Sequence, residues 1–150
     1  MVRLGVLANP DAGLGGRLGL KGSDGQAEFA RSKGAEDRSG PRLRSMLQHF
    51  SRIHRGNSQE IEWVTSRGRM GSEWIPEGLD LGSFSYVHES SGATSSIDTE
   101  DAIGTLLESE IQLLVYSGGD GTTRDIVSAL DSAGSSALPV IGVPSGVKMH

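Results

Sequence analysis

No cysteine occurs among the 150 residues, so a disulfide framework and any thiolate metal or redox centre are excluded. Long apolar runs are missing as well. None approaches the roughly 18 residues of a membrane span, and Met1-Val2-Arg3-Leu4 leads straight into a strand-like pattern instead of a signal peptide. The expectation is a soluble, cytoplasmic chain with no membrane partner. Basic charge is absent from a long stretch: between Met70 and Thr123 there is no Lys or Arg, while Glu73, Glu77, Asp80, Glu89, Asp98, Glu100, Asp101, Glu108, Glu110 and Asp120 are acidic, and most of these read as a solvated face. With a net charge of −5 and a pI near 5.3, the chain lacks the basic stripe by which a non-specific nucleic-acid binder displaces counterions. No internal repeat is present.

Glycine, in contrast, is abundant: 22 residues, about twice the average usage of roughly 7%. Many cluster at 13–25 and 118–121 and call for a local reason. Elsewhere the chain alternates strand and helix signals. Val2 to Ala8 reads as a mostly buried strand closed by Asn9-Pro10-Asp11. Asp11 to Gly25 is a glycine-rich loop, and Gln26 to Ser32 a short helix. Gly40-Pro41 starts a helix on which Leu43, Met46, Leu47, Phe50 and Ile53 recur at helical spacing as far as Arg55. Ile61 to Thr65 and Phe84 to His88 are strands, with a short helix or turn over Glu73 to Leu79 between them. Thr99 is placed to cap a helix bearing Ile103, Leu106 and Leu107. Ile111 to Tyr116 is a nearly continuous apolar run, as in a central parallel strand covered on both faces. A helix from Thr122 to Leu130 and a last strand from Leu138 to Val143 complete the pattern. Met46, Trp63 and Trp74 read as packing residues. The fold class is α/β, a Rossmann-like layered domain with a mostly parallel central sheet.

Ligands of open α/β sheets sit beyond the carboxyl ends of the strands. Three such ends carry unusual chemistry here: Asn9 to Gly25, Ser117 to Arg124 and Gly142 to Lys148. The sharpest is Gly118-Gly119-Asp120-Gly121-Thr122, a glycine-rich turn before a helix. Its bare backbone admits an anion, and its N–H groups supply donors. A carboxylate inside a phosphate cradle is unfavourable unless it serves Mg²⁺ or takes a proton from an attacking hydroxyl, both of which phosphoryl transfer requires. An ordinary tight turn is the competing reading. The loop containing Lys21 does not have the Walker P-loop spacing, and Gly13, Gly15 and Gly19 miss the dinucleotide fingerprint because position 18 is Leu. Thr65-Ser66-Arg67 leaves open a seat for a 2′-phosphate in an NADP-dependent reductase. His49 and His54, five apart, share no helix face for a metal, and Ser117 and Ser145 lack the G-x-S-x-G elbow of a hydrolase.

Three motifs occur in order. They are Asn9-Pro10-x-Ala12-Gly13 running into Gly15-Gly16-Arg17-x-Gly19-Leu20-Lys21-Gly22-Ser23-Asp24-Gly25, then Gly118-Gly119-Asp120-Gly121-Thr122-x-Arg124-Asp125-Ile126, then Pro139-Val140-Ile141-Gly142-Val143-Pro144-Ser145-Gly146-Val147-Lys148. Together they resemble the ATP-NAD/AcoX kinase branch of the NAD kinase family. The G-G-D-G-T element is shared with diacylglycerol and sphingosine kinases and, in a close variant, with phosphofructokinases. The resemblance implies transfer of the ATP γ-phosphate to the 2′-hydroxyl of the adenosine ribose of NAD, giving NADP, with a lipid or sugar kinase or a non-catalytic nucleotide-binding module as the alternatives. It implies Asp120 as general base and indirect partner of Mg²⁺ carried by ATP. It places Asn9, Gly13, Lys21, Gly118, Gly119, Gly121, Thr122 and Lys148 against the nucleotide or its phosphates. It further implies that residues 1–150 form an N-terminal nucleotide-kinase domain, that a β-rich C-terminal domain lies outside this chain, and that the full-length protein is a homo-oligomer. One departure concerns the acceptor: NAD kinases carry Asn within G-[IV]-N-x-G-x-L-G-F, where this chain has Pro144.

Overall fold

The computed structural model describes residues 1–9, 38–54, 56, 60–89 and 96–144. Strands β1 (Val2–Ala8), β2 (Ile61–Arg67), β3 (Ser83–Glu89), β4 (Leu113–Gly118) and β5 (Val140–Pro144) form one sheet in the order β3-β2-β1-β4-β5. Every pairing is parallel. Helices α1 (Ser39–Ile53), α2 (Ser96–Glu108) and α3 (Asp120–Ser132) cover its two faces. The chain is thus the Rossmann-like α/β layer that the alternating signals imply. Its order reverses between β1 and β4, the point at which such sheets open a crevice beyond their carboxyl ends.

Side chains alternate across the strands, so each strand feeds two cores. Leu4, Val6 and Ala8 of β1 meet Leu43 and Leu47 of α1, together with Trp63 and Val115. Leu7 faces the opposite way, into a cluster with Val64, Ile103, Leu106, Leu114 and Ile126 beneath α2 and α3. This double coverage explains why β1 is buried without interruption from Leu4 to Ala8. Trp63 anchors the α1 side, with Phe50 edge-on at 5.3 Å, Phe84 stacked at 6.0 Å and its indole N–H donating to the Leu81 carbonyl at 2.6 Å. Met46 and Trp74 also pack against this cluster, as their sequence context suggests.

Several boundaries differ from those read from the sequence. β4 begins at Leu113, not Ile111, because Glu110 adopts φ 57° and the chain is still turning before Leu4 and Leu113 pair. At its other end β4 extends through Ser117 and Gly118, which pair with Ala8, Val143 and Pro144. α2 starts at Ser96, so Thr99 lies buried within its first turns and is not the cap. α1 begins at Ser39 and stops at Ile53, whose side chain is 72% exposed and outside the core. The short helix or turn expected over Glu73 to Leu79 is there, as a 3₁₀ turn, Ser72–Trp74, and a turn at Glu77 and Gly78, with a further 3₁₀ turn, Gly68–Met70, before them. The last strand starts at Val140 and includes Pro144, whose missing N–H is tolerated on this edge strand. The helix expected over Gln26 to Ser32 lies outside the described residues. Glu73, Glu77, Asp80, Glu100, Asp101, Glu108 and Glu110 are exposed, as a solvated acidic surface requires.

Two consequences are measurable. A Cβ at Gly40 would lie 2.0 Å from Trp74 Cε2 and 2.3 Å from two further ring atoms. Gly40→Ala is therefore expected to lower stability by about 1–3 kcal/mol, the usual effect of overpacking, as read by urea unfolding. Glu62 accepts hydrogen bonds at 2.8 Å from Ser85 Oγ and from Arg3 Nε, and these hold its carboxyl below the usual range. A lowered carboxyl pKa stabilises the fold above the unfolded value, and that contribution disappears as pH falls through the folded one. Glu62→Gln is expected to be less stable than wild type near neutrality, and the gap should close below about pH 4.

Candidate functional site

At the carboxyl ends of β1 and β4 one residue is held from three sides. Asn9 donates its backbone N–H to the Ser117 carbonyl at 2.9 Å and accepts at its own carbonyl from Ser39 Oγ, in the first turn of α1. Its side-chain Nδ2 donates at 2.8 Å to Thr122 Oγ1, in the first turn of α3. Asn9, Ser39 and Thr122 are all buried. A buried amide satisfied by groups from β4, α1 and α3 fixes where the N-termini of two helices stand relative to the sheet.

β4 passes into α3 through a single residue. Gly119 is the N-cap, and Asp120, Gly121 and Thr122 form the first helical turn. The G-G-D-G-T segment is therefore not a glycine-rich loop: it is the end of a strand, one linking residue and the start of a helix. The Thr123 N–H closes the first helical bond onto the Gly119 carbonyl at 3.0 Å. The N–H groups of Asp120, Gly121 and Thr122 accordingly have no acceptor within the helix. They converge with the positive end of the helix dipole, the arrangement that binds phosphate. Thr123 Oγ1 also donates to the Gly119 carbonyl at 3.1 Å and bonds the hydroxyl of buried Tyr116, which pins the junction from below.

The glycines divide into two kinds. A Cβ on Gly118 would lie 2.6 Å from both Cβ and Oγ1 of Thr122, so this glycine is demanded by packing of strand against helix. Among the described residues no atom beyond the adjoining backbone lies within 4 Å of a Cβ added at Gly119 or Gly121, and neither has a positive φ. Nothing in the described part of the fold requires glycine there. A bare backbone at the mouth of a helix N-terminus suits the close approach of an anion.

The structure brings Asn9, Gly118, Gly119, Asp120, Gly121 and Thr122 together at one place. It gives them different surroundings: Asn9 and Thr122 are engaged with each other inside, whereas Asp120 is half-buried and Gly121 exposed. Gly13, Lys21 and Lys148 lie outside the described residues, as does the Asp11 to Gly25 loop. The seat considered for a 2′-phosphate is closed at two of its three residues. Thr65 and Ser66 are buried, Thr65 Oγ1 donates to the Val6 carbonyl at 2.7 Å, and only Arg67 is exposed, over the Tyr86 ring. Ser39, Tyr116 and Thr123 support the site without having been singled out in the sequence, where no spacing connects Ser39 to residue 9. The Ser117 hydroxyl is fully buried and has no hydrogen-bond partner. Among the described residues no group of three or more His, Asp or Glu is placed to hold a metal ion. Asp120 is the one acidic residue in the first turn of α3, which suits a cation that arrives with its phosphates and borrows one protein carboxylate.

The two kinds of glycine predict separable effects in thermal unfolding and ligand titration. Gly118→Ala should lose about 1–3 kcal/mol of stability through the clash with Thr122. Gly119→Ala and Gly121→Ala should keep the wild-type melting temperature or exceed it, because alanine is the better helix former by up to about 1 kcal/mol. Both should nevertheless weaken binding of a phosphate-bearing ligand.

Comparison with known proteins agrees with this geometry. No curated protein and no solved structure matches the chain. The family model for the ATP-NAD kinase N-terminal domain matches residues 5–150. That span takes in β1 from Gly5 onward, the Asn9 contacts, the β4–α3 junction and β5, and the chain belongs to the ATP-NAD kinase family.

Proposed function

We propose that this protein is a phosphotransferase that moves the γ-phosphoryl group of ATP to the 2′-hydroxyl of the adenosine ribose of NAD, giving NADP. One observation carries the reading: a carboxylate, Asp120, stands in the first turn of a helix whose first N–H groups have no acceptor within the helix, beside two glycines that no contact among the described residues requires. Family membership supplies the kinase class. The choice of NAD as acceptor rests on the motif resemblance.

In this reading the N–H groups at the start of α3 hold the phosphates of the nucleotide, with Mg²⁺ bound to ATP offsetting their charge. Asp120 accepts the proton of the attacking hydroxyl as its oxygen bonds to the γ-phosphorus. The bond from that phosphorus to the β–γ bridging oxygen breaks, and ADP leaves. Asn9 and Thr122 position the helix from inside, so that the carboxylate and the N–H groups keep one geometry. Lys21 and Lys148 contribute charge to the phosphates in the same proposal. The reading also includes a β-rich C-terminal domain that completes the acceptor pocket, consistent with a match to an N-terminal family domain. It includes homo-oligomeric assembly of the full-length protein and a cytoplasmic setting. Among the described residues no helix is long and apolar enough to cross a membrane.

The test is an acceptor screen of the full-length protein, with ATP or polyphosphate as donor and NAD, NADH, diacylglycerol or fructose 6-phosphate as acceptor. NADP is the expected product. Asp120→Asn, which keeps the shape but not the base, should lower kcat by about 10²–10⁴-fold while changing nucleotide affinity far less. An unchanged kcat, or a phosphorylated lipid or sugar in place of NADP, would overturn the corresponding part of the reading.

A further inference from the structure

Between Arg69 and Lys148, neither counted, the chain contains a single Lys or Arg, and it is Arg124. This lone cation stands four residues beyond Asp120 on α3. Positions four apart share a helix face, and residue 124 sits about 6 Å along the axis behind residue 120. Helical side chains slant toward the N-terminus, so a residue at 124 covers the turn that begins with Asp120.

The arginine has no structural employment that accounts for it. It is exposed, and the buried residues of α3, Thr122, Ile126, Ala129 and Leu130, lie on the other side of the helix. The ion pair that Asp120 and Arg124 are spaced to make is not formed, and among the described residues Arg124 has no ion-pair partner. Nor does the helix dipole favour it, because a cation gains from a helix C-terminus and not from the turns near the N-terminus. A guanidinium with no ion-pair partner among the described residues, one turn behind N–H groups that have no acceptor within the helix, can add a forked, permanently charged donor to an anion site.

We infer that Arg124 is a phosphate-binding residue of this site, its guanidinium gripping the polyphosphate chain of the phosphoryl donor beside the N-terminus of α3. The inference rests on the phosphotransferase reading of the site and extends it to a residue outside the glycine motif. It explains why one cation is retained in an otherwise acidic stretch, one turn behind the proposed base.

The experiment is calorimetric titration of the full-length protein with Mg·ATP and with inorganic tripolyphosphate, for wild type, Arg124→Ala, Arg124→Lys and Asp120→Asn, with melting temperatures recorded in parallel. Alanine at an exposed helical position leaves folding intact. Arg124→Ala should bind both ligands about tenfold to a hundredfold more weakly, the usual effect of losing a charge-assisted hydrogen bond. Arg124→Lys should recover part of the loss, since it restores the charge without the fork. The melting temperature should stay at the wild-type value. Wild-type affinity in Arg124→Ala would overturn the inference while leaving the functional reading in place, provided that Asp120→Asn lowers kcat in a parallel turnover assay by about 10²–10⁴-fold. A fall in melting temperature that accounts for the weaker binding would make Arg124 structural and overturn it too. If wild type binds neither ligand, the inference and the functional reading fail together.

Discussion

The hydrogen bond from Asn9 Nδ2 to Thr122 Oγ1 joins residues 113 positions apart, and the candidate site depends on it. β1 and β4 are adjacent in the sheet, but pairing alone leaves the angle of the following helix unspecified. The amide fixes it by reaching from the end of β1 into the first turn of α3, while Ser39 holds the same residue's carbonyl from α1. Because these groups are buried, loss of one partner would leave another unsatisfied, which costs roughly 1–3 kcal/mol. Two helix N-termini are thereby set at the switch point of the sheet, and every later property of the site assumes that setting.

Within this frame, chemistry and packing are kept apart on neighbouring residues. Gly118 is small so that Thr122 can approach; Gly119 and Gly121 are small although nothing among the described residues crowds them. Thr122 turns its hydroxyl inward to Asn9, and Thr123 turns its hydroxyl toward Tyr116 and the Gly119 carbonyl. Internal groups thus satisfy the side chains of the first turn, and its backbone N–H groups are left for a ligand. A half-buried carboxylate at the first helical position is stabilised by the dipole and still reaches the open side.

Charge follows the same division. Glu100, Asp101 and Glu108 of α2 and Glu110 just after it are exposed and serve solvation, whereas Arg3 and Glu62 form an ion pair that ties β1 to β2. Arg3 also donates to the Ser109 carbonyl at 3.0 Å, so this pair anchors the chain just beyond α2 at the end of the sheet away from the site. Polar interactions at that end hold the layers together; those at the carboxyl end shape an opening.

Much of this was legible in the sequence, for reasons local to it. A nearly continuous apolar run such as Ile111 to Tyr116 reads as a strand covered on both faces, and alternation of such runs with amphipathic segments points to a parallel α/β layer. Residue types at positions 118 to 122 pointed to phosphate chemistry, with an ordinary tight turn as the competing reading, because bare backbone beside a carboxylate suits both. Boundaries were less legible, since Ser117 and Gly118 have weak strand propensity and join β4 only because Ala8, Val143 and Pro144 pair with them. Tertiary structure alone decided that Asn9 meets Thr122, that Ser39 closes on Asn9, and which glycines are crowded. Those facts depend on distances between segments far apart in the chain, and no periodicity within one segment records them.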